Sequence, residues 1–96
     1  MAQVLIFGDS TLDIQGLEAV LKERGYDSVL LPRPWDELEA ASTQDTMLIF
    51  LDVPYLRRVE ADVDTLIDRC RASTKARLLA LLAPDSPRDF DVVPRV

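Results

Sequence analysis

Apolar residues come along this chain in two kinds of run that alternate. Val4-Leu5-Ile6-Phe7, Val29-Leu30-Leu31, Met47-Leu48-Ile49-Phe50-Leu51 and Leu78-Leu79-Ala80-Leu81-Leu82-Ala83 are short unbroken blocks, the signature of strands buried on both faces. Between them, apolar residues return every three or four positions. Ile14, Leu17, Val20 and Leu21 do so ahead of Gly25, a residue suited to the left-handed stop of a helix. Trp35, Leu38 and Ala41 do so after Pro34, which is favoured at the first helical position. Val59, Val63, Leu66, Ile67 and Cys70 predict a third helix over residues 59–72. Pro54 predicts a loop over 53–58, because it would interrupt both a sheet ladder and an early helix. The block at 78–83 is ambiguous, since leucine and alanine favour helix; its shortness, Pro84 and the alternation so far select a strand. Beyond it the chain is rich in proline and acid, with a helical turn expected near 87–90 and a few strand residues at Val92 and Val93.

Strands alternating with helices on short connections predict a parallel sheet joined by right-handed crossovers, with helices on both faces. The expected fold is α/β, a doubly wound three-layer sandwich of strand order 2-1-3-4. In that order the first and third strands are neighbours, and ligands bind beyond their carboxyl ends, where the winding reverses. Asp9 and Asp52 follow the first and third strands directly and are expected at that rim. With 96 residues, the chain suffices for one domain, 1–96.

Composition removes several chemistries. A formal charge of -6 argues against direct binding of nucleic acid, which needs a basic face. There is no histidine, and with it go the commonest metal ligand and general base. The single cysteine, Cys70, has no internal disulfide partner and lies on an inward helical stripe, as a buried apolar residue would. No apolar run reaches membrane-spanning length, and residues 1–7 lack the basic start of a signal peptide, so a cytoplasmic protein is expected.

Two carboxylates held close repel each other, and a raised proton affinity or a bound cation relieves the repulsion. Oxygen ligands of this kind suit magnesium. The plain alternative is that each acid caps a helix or sits in a solvated loop.

Val4-Leu5-Ile6-Phe7-Gly8-Asp9-Ser10, the helix end Leu21-Lys22-Glu23-Arg24-Gly25-Tyr26 and Leu48-Ile49-Phe50-Leu51-Asp52 resemble the receiver domain of bacterial two-component response regulators. The resemblance runs over nearly the whole chain, on short motifs, and implies a flavodoxin-like fold. It makes Asp52 the phosphoacceptor. It makes Asp9, Asp52 and the backbone carbonyl of Pro54 the ligands of Mg2+, with Gly8 replacing the first member of the family's acidic pair. A histidine kinase or another signalling protein would be the partner. The chain departs from the family at Leu82, where a switch Ser or Thr is usual, and at Leu56, where proline is usual. The family's lysine after strand five has no counterpart, and the fifth strand and helix would be missing or rudimentary. Losing the hydroxyl and the lysine removes groups that stabilise and report a phosphoryl group, which implies impaired switching.

Two functions follow. One is a phosphoacceptor that at most catalyses its own phosphorylation. The other is a phosphorylation-independent interaction or dimerisation module, with a homodimer formed through the Leu78 to Ala83 strand, whose apolar edge would otherwise be bare. A flavin or nucleotide site is a third and weaker expectation, because no glycine-rich cradle follows the first strand. Trp35 and Tyr55 read better as packing aromatics than as a flavin sandwich.

Overall fold

The computed structural model describes residues 2–42, 44–82 and 94–96. The elements alternate as β1 (Gln3–Phe7), α1 (Leu12–Glu23), β2 (Asp27–Leu31), α2 (Pro34–Ala41), β3 (Thr46–Asp52), α3 (Val53–Arg58), α4 (Val63–Ser73) and β4 (Arg77–Leu81). The four strands form one sheet of order β2-β1-β3-β4, and all three pairings are parallel. The 2-1-3-4 order expected from the sequence is therefore present. The expected helical turn at 87–90, the strand residues Val92 and Val93, and Ala83 lie outside the described residues.

The sheet separates two apolar clusters. On one face Leu5, Phe7, Ile49, Leu51 and Leu78 pack with Leu38 of α2, Val53 and Leu56 of α3, and Val63, Leu66, Ile67 and Cys70 of α4. On the other, Val4 and Ile6 pack with Ile14 and Leu21 of α1, and Leu48, Phe50 and Leu81 join them only partly buried. This division follows from the period of two along each strand, which sends neighbouring residues to opposite faces. Because β1 is central, four of its five residues are fully buried, which accounts for the unbroken apolar block. β4 stands at the edge of the described sheet, beside β3, and its Leu79 is 36% exposed.

Local signals set the helix ends. Thr11 caps α1 by accepting the Ile14 N–H at 3.3 Å, and Gly25 ends it at φ 84°. Asp62 caps α4 by accepting the Thr65 N–H at 3.1 Å.

Three expectations need correction. Residues 53–58 form a helix and not a loop: Pro54 stands in the first turn, where its missing N–H has no intrahelical partner to lose. The following helix starts at Val63 and not at Val59, which closes α3 and is 40% exposed. Val20, expected on the inward stripe of α1, is 49% exposed.

Candidate functional site

The carboxyl ends of β1 and β3 lie side by side, with Phe7 opposite Leu51 in the register. One residue further, Gly8 is buried against Asp52: a Cβ added at Gly8 would lie 3.0 Å from the Asp52 Cβ and 3.3 Å from its Oδ2. Asp9 follows at the same rim and is exposed. The sheet thus delivers Asp9 and Asp52 to the neighbouring strand ends where the winding reverses.

Each carboxylate already has local work. Asp9 Oδ1 accepts the Ser10 N–H at 2.8 Å, which closes the turn into α1. Asp52 is the N-cap of α3, and its Oδ1 accepts the Tyr55 N–H at 3.4 Å. Tyr55 is anchored in turn through its hydroxyl, which donates to the Pro32 carbonyl at 2.8 Å, and Arg58 lies 5.9 Å above its ring. The strand end, the cap and the β2–α2 connection are therefore tied together around one carboxylate.

Burial raises the proton affinity of Asp52 above that of an ordinary aspartate. The Tyr55 N–H and then the Arg58 charge oppose this, while the Asp13 charge adds to it. Asp13 and Arg58 are absent from the site that the sequence predicts. Asp13 stands in the first turn of α1, and nothing in the sequence signals that α1 would bring it near Asp52. Arg58 stands in the last turn of α3, a helix that Pro54 conceals in the sequence.

Asp9 and Asp52, the carboxylates that the resemblance assigns to magnesium, stand at one rim, each with one oxygen engaged locally. Gly8 supplies no side chain. Pro54 lies inside α3, so its carbonyl points along the helix, away from the cap at Asp52. Among the described residues no three His, Cys, Asp or Glu side chains cluster as metal ligands. Leu82, at the family's switch position, is half-buried against the α2–α4 cluster.

No family model, curated protein or solved structure matches the chain. Among the described residues, no helix is long and apolar enough to cross a membrane.

Proposed function

We propose that this chain is a phosphorylation-independent interaction module on a flavodoxin-like, receiver-like scaffold, and that it self-associates through β4. The observation that carries this is the apolar edge: Leu79 is 36% exposed on a strand that, among the described residues, pairs on one side only. Such an edge is a template for a further strand and is ordinarily paired or shielded. Leu48, Phe50 and Leu81, incompletely covered on the same face as Leu79, extend the apolar surface beside it. The use of Asp52 as a helix cap supports a structural role for the acid.

Sedimentation velocity over a wide concentration range tests the proposal. A reversible dimer is expected, lost in Leu79→Asp and unchanged by a small phosphodonor with Mg2+. A monomer at every concentration would overturn it.

The partly buried position of Asp52 beside Gly8, at the mouth of β3, favours a second reading, the phosphoacceptor. Here intact-mass measurement after incubation with acetyl phosphate and Mg2+ decides. A phosphoryl mass gain in the unmodified chain but not in Asp52→Ala would establish it, and a histidine kinase would then be the partner to seek.

A further inference from the structure

A groove of about 270 Å³ that includes neither Asp9 nor Asp52 opens between the start of α2 and the turn that joins α3 to α4. Its apolar wall is Trp35, Val59, Ala61 and Leu66; its acids are Glu60 and Asp62. Arg69 also reaches the groove, but its guanidinium is held by Glu39, with Nη2 2.8 Å from Oε1 and 2.6 Å from Oε2. The cation inside is therefore neutralised from outside; of the two acids, Asp62 is the N-cap of α4 and Glu60 is exposed.

The backbone at Glu60 fixes where its carboxylate starts. α3 ends as α1 does: in each, an amide bonds back over the last turn, Ala61 N–H to the Leu56 carbonyl at 2.9 Å and Tyr26 N–H to the Leu21 carbonyl at 3.0 Å. This closure requires a left-handed residue one place earlier. After α1 that residue is Gly25, at φ 84°, and after α3 it is Glu60, at φ 58°. A side chain with a Cβ is disfavoured in that conformation. The chain keeps a carboxylate where its own other turn uses glycine, and that residue lines the groove together with Trp35.

We infer that this groove docks a cationic side chain, presented with flanking apolar residues by an extended segment of a partner protein. An aromatic face attracts a cation, an arginine or lysine stem packs on apolar walls, and the two acids complete the charge match. The formal charge of -6 draws such a segment from a distance. This surface is separate from β4, and the inference stands or falls independently of self-association.

Trp35 is the single tryptophan of the chain, so its fluorescence reports occupancy directly. The probe is the peptide acetyl-Leu-Arg-Leu-amide, compared with acetyl-Leu-Glu-Leu-amide. The arginine peptide is expected to give a saturable change that the glutamate peptide does not, weakened by salt. Glu60→Gln is expected to weaken it by about fivefold, the scale of one partly exposed charge pair. In Glu60→Gly the fold is expected to gain thermal stability while binding falls as in Glu60→Gln, which separates loss of the carboxylate from damage to the turn. Equal responses to the two peptides, no saturable response to either, or undiminished binding in Glu60→Gln would each overturn the inference.

Discussion

Gly8 faces the Asp52 side chain across the rim so closely that a methyl group on Gly8 would meet the Asp52 Cβ at 3.0 Å. That is tighter than nine in ten real Cβ contacts, so the neighbour must give by a few tenths of an ångström, and the obstructing atom is the root of a side chain that also caps a helix. A residue larger than glycine must therefore displace Asp52 or the start of α3.

Gly8→Ala is expected to destabilise the fold by about 1 to 3 kcal/mol, the usual cost of overpacking a close contact. Gly8→Asp, which restores the acidic pair suggested by the resemblance, is expected to cost more, because it sets a like charge beside an acid already disfavoured by burial. Urea unfolding of the three chains checks the order. Equal stability of Gly8→Asp and the unmodified chain would mean that the rim opens freely.

Asp52 gives a pH dependence of definite sign. Its proton affinity is higher in the folded chain than in the unfolded one, so its ionisation works against folding. Its contribution is fully favourable below the ordinary aspartate range and is lost as pH rises through that range towards the folded value. The Asp52→Asn substitution would keep a side-chain carbonyl to accept the Tyr55 N–H, since asparagine caps about as well as aspartate. That variant is thus expected to be at least as stable as the unmodified chain at neutral pH, with its relative advantage shrinking as pH falls from the raised folded value to the ordinary aspartate range, below which no pH-dependent difference remains. Asp52→Ala, without a cap, is expected to cost about 0.5 to 2 kcal/mol. Thermal melts at several pH values separate the two effects.

Most of the fold was legible because the apolar blocks are short and the helical stripes are interrupted by strong signals. Gly25 stops α1, Pro34 starts α2, and the block after Thr46 forms β3 between β1 and β4, though its first residue, Met47, expected buried, is 42% exposed. α3 was hidden by Pro54. The same proline that breaks a helix interior is harmless in a first turn, and only the cap from Asp52 reveals which position it holds. Val59 misled for a related reason: its spacing matched the stripe of α4, yet it closes the preceding helix. At the site, the strand-end positions of Asp9 and Asp52 followed from topology, whereas the influence of Asp13 and Arg58 depends on how two helices are set against the rim. No pattern in the sequence carries that orientation.

Tyr55 offers a test of the link between α3 and the β2–α2 connection. Its hydroxyl donates to the Pro32 carbonyl at 2.8 Å while its ring packs against the main cluster. Tyr55→Phe keeps the ring and is expected to cost only about 0.5 to 1.5 kcal/mol, as for one hydrogen bond. Tyr55→Ala, which removes both, is expected to cost distinctly more and to loosen α3. Chemical denaturation gives the energies, and amide exchange at Tyr55 reports whether the cap to Asp52 persists.

Cys70 provides the last prediction, a chemical readout of the α4 face. It is fully buried in the main cluster, and burial pushes its thiol up to about 12. The nearby Arg69 opposes that shift but does not cancel it. The reactive species is the thiolate, so both access and ionisation protect this sulfur in the folded chain. Labelling by a disulfide reagent at neutral pH is expected to be slow and to accelerate with denaturant along the unfolding transition. Because the shift favours the neutral thiol, its stabilising contribution is present below the ordinary thiol range and is lost as pH rises through that range towards the folded value. Rapid labelling in buffer alone would mean that α4 separates readily from the sheet, and the Trp35 groove, which α4 helps to wall, would open with it.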